Sequence, residues 1–170
     1  MQNINVKNLP LVGKGAHGKV YKLNNNRCIK VCKKTRDMQL EYKVLKHTKG
    51  YPQFPKVYEC KDNYMIREYI EGQNLRAYIS KNGLDNKLSR ELTELIKVFI
   101  RLKFTRIDIR MGEVFVTKEL KLRIVDTTRY LDKKAAYPKK MLLALGKLGY
   151  LNQYMNFLKK NYPEFYRSWR

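Results

Sequence analysis

The chain has 170 residues, of which 44% are hydrophobic and 12% aromatic, so it is long enough for one sizeable domain or for two small lobes with packed cores. No apolar run approaches the roughly 20 residues of a membrane span, and residues 1–7 lack the apolar core of a secretory signal peptide. These absences exclude a membrane-spanning or secreted class, and we expect a soluble protein of the cytoplasm.

The charge is the most unusual property of the whole chain. It has 37 Lys and Arg residues against 15 Asp and Glu residues, a formal net charge of +22. A field this positive favours acidic protein substrates and polyanionic partners such as nucleic acid. The lysines are spread along the chain, mostly in pairs, so a merely solvated basic surface is an equal alternative.

Cysteine and histidine usage argues against a structural metal site. The chain has 3 cysteines, Cys28, Cys32 and Cys60, with no C-x-x-C motif and no clustered histidines. A structural zinc site is therefore not expected, and an odd number of cysteines in a cytoplasmic chain indicates reduced thiols.

The N-terminal part carries Gly13, Gly15 and Gly18 at G-x-G-x-x-G spacing, with Val20 two positions later. This spacing occurs in dinucleotide-binding folds, where a helix follows the third glycine, and in hairpins that cover nucleotide phosphates. Here an alternating run, a cluster of turn formers and a second strand-like run, Arg27–Cys32, follow the glycines. The pattern predicts a glycine hairpin followed by a third strand; a hairpin without a ligand is the alternative.

Lys30 lies inside the second strand-like run and shares a strand face with Cys28 by two-residue alternation. A lysine flanked by apolar residues is costly to bury unless an anion lies beside it. The helical stretch from Asp37 to His47 offers Glu41, which is followed by apolar residues three and four positions later. A solvated helix glutamate is the alternative interpretation of Glu41.

Together these segments resemble a protein kinase. Gly13 to Val20 fits the family's G-x-G-x-x-G-x-V, Cys28 to Lys30 resembles the A-x-K of its third strand, and Glu41 lies in a segment similar to the helix that bears the ion-pair glutamate. The run from Tyr64 to Gly72 is similar to the fifth strand and hinge. The residues that this resemblance places around ATP are Gly13, Gly15, Gly18, Val20, Cys28, Lys30 and, through their backbone, Glu68 and Ile70.

A long amphipathic helix is predicted next, because apolar residues recur at spacings of three and four. It leads to residues 106–116, which resemble the catalytic loop H-R-D-L-x-x-x-N followed by a strand. The resemblance implies that Asp108 is the catalytic aspartate and that Arg110, Lys30 and Glu41 complete the catalytic group. The apolar positions of the helix are Leu88, Leu92, Leu95, Ile96 and Phe99.

Asp126 follows a predicted hairpin, with its turn near residues 118–119 and its second strand at residues 121–125, and stands where the family has D-F-G. The resemblance implies that Asp126, with Glu113, holds Mg²⁺, a hard ion that prefers oxygen ligands. The chain departs from the family at Arg67, which replaces an apolar or small residue, and at Arg106-Ile107, Glu113 and Thr127-Thr128. These departures leave open a pseudokinase that binds nucleotide as a scaffold.

Beyond Asp126 the chain is shorter than the usual lower lobe. A helix is predicted to begin at Pro138 and to end near Gly149, followed by a second helix from Leu151 to Lys160. Aromatic residues interleave with lysine and arginine over residues 150–169. Their helical spacing favours a core-packing stripe over a surface for single-stranded nucleic acid.

We therefore predict an α+β, two-lobed, protein-kinase-like fold for residues 1–170. The N-lobe, at about residues 1–70, would be a small antiparallel sheet with one helix, and the hinge and a shortened, mostly helical C-lobe would occupy about residues 71–170. The resemblance covers residues 11–128 well and extends to compact kinases such as the RIO family and small bacterial serine/threonine-kinase-like proteins. It implies ATP- and Mg²⁺-dependent phosphoryl transfer to a serine or threonine of a protein substrate. A polyanion-binding module is the third alternative.

Overall fold

The computed structural model describes residues 5–128, 130–131 and 133–170; residues 1–4, part of the stretch considered for a signal peptide, lie outside them. The fold is α+β and divides into two compact units, Met1–Ile70 and Glu71–Arg170, called unit 1 and unit 2 below. No helix among the described residues is both long and apolar enough to cross a membrane.

Unit 1 is a five-stranded antiparallel sheet with one helix. The strand order is β1-β2-β3-β5-β4, and the glycine hairpin and third strand are those predicted from the sequence. The helix, expected from Asp37, begins two residues earlier. The elements are β1 (Leu11–Lys14), β2 (Gly18–Lys22), β3 (Arg27–Cys32), α1 (Thr35–His47), β4 (Val57–Lys61) and β5 (Tyr64–Glu68).

The core of unit 1 forms because β3 lies in the middle of the sheet and is buried on both faces. Ile29 on β3 and Met65 on β5 are both 0% exposed. Helix α1 buries one stripe, with Met38, Val44 and Leu45 inside, because residues three and four apart share a helix face.

Unit 2 is mostly helical, with a three-stranded antiparallel sheet in the order β6-β7-β8. Two predicted helices are confirmed there, and Gly149 between them has φ +81°, a conformation that side chains rarely adopt. The elements are β6 (Gln73–Asn74), α2 (Leu75–Asn82), α3 (Asn86–Arg101), a 3₁₀ turn (Met111–Glu113), β7 (Val114–Val116), β8 (Leu122–Ile124), α4 (Lys139–Lys147), α5 (Leu151–Asn161) and α6 (Pro163–Trp169).

Helix α3 is the central element of unit 2, and its predicted apolar stripe is confirmed. Asp85 caps its N-terminus by accepting a hydrogen bond from the Leu88 amide at 2.7 Å. The segment that carries Asp108 follows its C-terminus, so the position of α3 determines where that segment begins. The predicted stripe residues Leu88, Leu92, Leu95, Ile96 and Phe99 are all buried.

Most of the C-terminal aromatic residues are buried inside unit 2, namely Tyr154, Phe157, Tyr162 and Trp169, whereas Tyr150, Phe165 and Tyr166 are half-buried. Tyr154 on α5 is 0% exposed and Trp169 on α6 is 5% exposed. The Phe165 and Trp169 rings are stacked, with their centroids 4.6 Å apart. The structure therefore supports the core-packing interpretation of these aromatic residues rather than the nucleic-acid surface.

Candidate functional site

The predicted ATP-contacting residues of β1, β2 and β3 lie on one face of the sheet. Gly13 pairs with Val20, Val20 with Lys30, and Lys30 with Met65. Directly opposed residues in antiparallel strands project to the same face, and Cys28 joins them by alternation along β3. The structure thus brings Gly13, Val20, Cys28 and Lys30 together in unit 1.

Lys30 forms the ion pair with Glu41 of α1 that the sequence predicts, between its Nζ and the Glu41 Oε2. Arg67 contributes a second cation, with its Nη1 3.1 Å from the Glu41 Oε1. The side chains of Lys30, Glu41 and Arg67 are only 6%, 0% and 5% exposed. From the sequence, Arg67 was predicted only to depart from the family, although its charge, opposite to that of Glu41, was a signal for this contact.

Cys28 behaves as a small buried residue beside this cluster. It pairs with Arg67 across β3 and β5, and its Sγ lies 3.6 Å from the Glu68 carbonyl oxygen, to which it donates. Burial raises the pKa of the Cys28 thiol, while the nearby Arg67 charge opposes that shift. The thiol is therefore protonated at neutral pH, and the side chain serves packing.

The three glycines of the hairpin differ in what the fold requires of them. At Gly18 an added Cβ would lie 2.1 Å from the Val31 carbonyl oxygen, so the close approach of β2 to β3 excludes a side chain. At Gly15 an added Cβ would meet no atom within 4 Å. The fold therefore requires a glycine at position 18. It does not require one at position 15, where the backbone is exposed and a ligand can approach it closely.

The tip of the hairpin is anchored to α1, a feature that sequence analysis missed. The His17 Nδ1 lies 3.0 Å from the Asp37 Oδ2, and the His17 carbonyl oxygen accepts a hydrogen bond from the Lys33 amide at 2.9 Å. Because α1 also carries Glu41, these contacts fix the position of the hairpin relative to the helix that holds Lys30.

Glu68, predicted to bind adenine through its backbone, is already partly engaged. Its amide donates to the Lys56 carbonyl oxygen at 2.8 Å, and its carboxylate accepts from the Lys56 amide at 3.1 Å. The Glu68 carbonyl accepts the weak Cys28 thiol donor, and a carbonyl oxygen has two lone pairs. The amide, the carboxylate and the carbonyl of Glu68 therefore all take part in contacts within unit 1. Ile70, the other predicted contact, is buried.

In unit 2, Asp108 lies between the buried residues Ile107 and Ile109. Its Oδ1 accepts a hydrogen bond from the Lys140 amide at 2.7 Å, and its Oδ2 lies 4.0 Å from the Lys140 Nζ. Lys140 is the second residue of α4, so Asp108 satisfies an amide at the open N-terminus of that helix. The carboxylate is held in one orientation and is 8% exposed.

Two departures from the kinase motif, Arg106 and Glu113, compensate each other. The Arg106 Nη2 lies 3.6 Å from the Glu113 Oε2, which also accepts the Tyr130 hydroxyl at 2.6 Å. The Arg106 guanidinium lies over the Tyr130 ring, 5.1 Å from its centroid, and burial together with the Glu113 charge raises the pKa of Tyr130 well above its ordinary value. Arg110 is more distant, with its Nε 3.9 Å from the Glu113 Oε1. Tyr130 was not predicted from the sequence, although the opposite charges of Arg106 and Glu113 indicated an ion pair between them.

Asp126 lies in a turn formed with the residues that replace Phe-Gly. Its Oδ1 accepts hydrogen bonds from the Thr128 hydroxyl at 2.9 Å and from the Thr128 amide at 3.3 Å. The Val125 amide donates to the Glu113 carbonyl oxygen at 2.8 Å, which places this segment beside the 3₁₀ turn. Thr127 and Thr128 are buried.

The oxygen chemistry of Asp126 fits a magnesium ligand, because Mg²⁺ prefers carboxylate oxygens. The Glu113 carboxylate is already used by Tyr130, Arg106 and Arg110, and these contacts compete with the metal role predicted for it. Among the described residues, no group of three or more His, Cys, Asp and Glu side chains is placed to hold a metal ion.

No protein-family model matches the sequence, and no curated protein matches it either. Two groups of residues are candidates for function: Lys30 with Glu41 and the glycine hairpin in unit 1, and the segments of Asp108, Glu113 and Asp126 in unit 2.

Proposed function

We propose that the chain is an ATP-dependent phosphotransferase of the protein-kinase-like type, which transfers the γ-phosphoryl group to a hydroxyl, with a serine or threonine of a protein as the acceptor. The observation that carries the proposal is the buried Lys30–Glu41 ion pair on the sheet face shared with Val20 and Gly13. A lysine held by a carboxylate beside a glycine hairpin is positioned to contact phosphate oxygens.

In unit 1 each residue has a physical role in nucleotide binding. Gly15 lets backbone approach the phosphates, because it has no Cβ and nothing in the fold fills the space. Lys30 contacts phosphate oxygens, and Glu41 orients it. Val20, which is half-buried, presents an apolar surface to the base. ATP supplies the phosphoryl group and Mg²⁺ offsets its charge when both are bound.

In unit 2, Asp108 would orient the acceptor hydroxyl and accept its proton, a role favoured by a carboxylate held in one orientation by the Lys140 amide. Asp126 would hold Mg²⁺ through its carboxylate. Arg110, with a side chain that is 57% exposed, would add positive charge beside the transferring group. Glu113 stays outside the proposed metal site because its carboxylate already has partners.

A nucleotide-binding scaffold without transfer is the second candidate. The observation that favours it is the contact of the Glu113 carboxylate with Tyr130 and Arg106, which removes one oxygen ligand from a two-carboxylate metal site. A site with fewer carboxylates neutralises less phosphate charge, and charge neutralisation supplies much of the catalysis in this chemistry.

The test has two measurements. The first is thermal unfolding in the presence and absence of ATP and Mg²⁺, and the second is mass spectrometry for autophosphorylation. Wild type should be stabilised by nucleotide and should transfer phosphate. Lys30→Met should lose about 1.5–3 kcal/mol of ATP affinity, because a charge-assisted contact is removed. The matched control is Lys19→Met, which makes the same change at an exposed position on β2 and should bind ATP normally.

The aspartates separate the two candidate functions. Asp108→Asn should bind nucleotide but transfer nothing, whereas Asp126→Asn should lose the part of ATP affinity that depends on Mg²⁺. A wild type that binds ATP, transfers nothing and is indistinguishable from both variants would establish the scaffold. A wild type that ATP does not stabilise at all would exclude both candidates.

A further inference from the structure

Unit 2 contains an open, basic cavity of about 300 Å³. Four cationic residues line it: Arg76, Arg110, Lys140 and Lys147. Met111 and Leu143 add apolar surface, and Leu143 is 55% exposed, which is high for a leucine. None of the described residues that line the cavity is acidic.

The elements that carry these cations are hydrogen-bonded to one another. The Asn74 side chain accepts from the Arg76 amide at 3.0 Å and donates to the Gly112 carbonyl oxygen at 3.2 Å, which joins α2 to the 3₁₀ turn. Asp108 accepts from the Lys140 amide, which joins α4 to the segment before that turn. The cavity is therefore built by three connected segments, and its cations are not scattered over a flexible surface.

The charge of the cavity is only partly compensated. The Glu113 Oε1 lies 3.9 Å from the Arg110 Nε, and the Asp108 Oδ2 lies 4.0 Å from the Lys140 Nζ. Within the described part of the chain, neither Arg76 nor Lys147 forms an ion pair with a carboxylate. Like charges that converge on one small cavity repel one another, and a bound dianion would relieve that repulsion.

We propose that this cavity binds a phosphomonoester group carried by a phosphorylated serine or threonine of a peptide. A phosphomonoester carries nearly two negative charges and three strong acceptor oxygens, which match arginine forks and lysine ammonium groups. The volume of the cavity is at the lower end of the range for ligand-binding sites, which suits one modified side chain. Met111 and Leu143 offer apolar surface to apolar residues next to the phosphorylated residue in the peptide.

The position of Lys140 connects the cavity to the proposed reaction. Lys140 lines the cavity and also contacts Asp108 through its amide and its ammonium group. A phosphopeptide bound there would present neighbouring residues to Asp108, so the acceptor would be a substrate that already carries a phosphate. The use of an already phosphorylated substrate depends on the proposed function, whereas phosphopeptide binding in the cavity does not.

The binding test is calorimetric titration of the full chain with a phosphoserine peptide, the same peptide with serine, and inorganic phosphate. The phosphopeptide should bind at least about tenfold more tightly than the serine peptide, and phosphate should compete with it. Arg76→Gln with Lys147→Gln should lower phosphopeptide affinity about tenfold or more without changing the melting temperature. The control, Lys160→Gln with Arg167→Gln, removes the same charge from exposed positions of α5 and α6 and should stay within about twofold of wild type.

Three results would overturn the proposal: equal losses in the two double variants, equal binding of the two peptides, or a loss of single-stranded RNA affinity in Arg76→Gln with Lys147→Gln that exceeds the loss of phosphopeptide affinity. The transfer assay separates this proposal from the proposed function. Selective phosphopeptide binding without any phosphoryl transfer would support the cavity and contradict the enzyme. Equal transfer to both peptides without a binding preference would support the enzyme and contradict the cavity.

Discussion

Glu41 contacts two cations from different strands, Lys30 on β3 and Arg67 on β5, while it is completely buried itself. A buried ion pair contributes little compared with well-packed apolar residues, but removing one partner leaves an uncompensated buried charge. The cost of a substitution in this cluster therefore depends on how much unlike charge remains around each member.

Glu41→Gln should destabilise the protein by about 3–5 kcal/mol, because both Lys30 and Arg67 lose their contact with the Glu41 carboxylate. Arg67→Met should cost clearly less, because it replaces a cation with an apolar residue of similar length and keeps the Lys30–Glu41 pair. Urea unfolding followed by circular dichroism measures both free energies of unfolding. An Arg67→Met cost equal to or larger than that of Glu41→Gln would show that Arg67 is the principal partner of the carboxylate.

At the scale of elements, the glycine hairpin combines a structural glycine with one that the fold does not require. At Gly18 the backbone of β3 lies too close to β2 to admit a side chain, and Gly15 lies at the exposed loop. The same substitution at the two positions therefore separates the stability of the hairpin from its contact with a ligand.

Gly18→Ala should destabilise unit 1 by about 2–4 kcal/mol, because the new methyl group would overlap backbone atoms of β3 that cannot move without breaking strand pairing. Gly15→Ala should leave the free energy of unfolding within about 0.5 kcal/mol of wild type and should weaken ATP binding. Urea unfolding and calorimetric titration with ATP measure the two effects. Unchanged ATP affinity in Gly15→Ala would remove the loop from the proposed nucleotide site.

Helices α3 and α5 are joined by a buried hydrogen bond between Thr93 and Tyr154, with 3.0 Å between the hydroxyl oxygens. The Thr93 hydroxyl donates to the Ser89 carbonyl oxygen at 2.8 Å, so its single proton is used and Tyr154 is the donor to Thr93. Burial raises the pKa of Tyr154 above its ordinary value, because a phenolate would lose its hydration there.

This shift predicts a loss of stability in alkali. Below pH 10 both the folded and the unfolded chain hold the Tyr154 proton, so this residue gives no pH dependence. Above pH 10 the unfolded chain releases the proton while the folded chain keeps it, and stability falls by up to about 1.4 kcal/mol per pH unit. Urea unfolding between pH 9 and pH 11 should show a shallower fall in Tyr154→Phe than in wild type.

The control for the alkaline experiment is Tyr166→Phe, which changes a half-buried tyrosine of α6. The slope in Tyr154→Phe should be shallower than the slope in this variant. Tyr130 should still contribute in both variants, because burial raises its pKa in the same direction. Identical slopes in Tyr154→Phe and wild type would mean that Tyr154 ionises without unfolding of α3 and α5.

At the scale of the whole molecule, the net charge of +22 predicts association with polyanions through counterion release. Affinity for a single-stranded RNA should fall by at least about tenfold between 50 and 200 mM salt. Fluorescence anisotropy with a labelled oligonucleotide measures this, and an uncharged peptide nucleic acid of equal length is the control. Failure to bind any polyanion at low salt would leave the charge as a determinant of solubility alone.

Much of the secondary structure could be predicted from local patterns. The turn formers before Arg27 and the alternation along β3 locate that strand at its observed bounds. The apolar spacing of α3 predicts its buried face, and Gly149 separates two helices because it adopts a positive φ. The Lys30–Glu41 pair was also predictable, since a lysine inside a buried strand needs an anion and the next helix offers one.

The sequence by itself determined much of the secondary structure and the need of Lys30 for an anionic partner, because hydrophobic periodicity and turn chemistry act over a few residues. Only the tertiary structure decided which partners the charged side chains found. Arg67 contacts the Glu41 carboxylate because β5, which carries Arg67, pairs with β3. Asp108 caps α4 because the fold places the N-terminus of α4 beside it, although Lys140 lies 32 residues later in the chain. Contacts of this kind depend on the packing of segments far apart in the chain, and local sequence patterns carry no information about that packing.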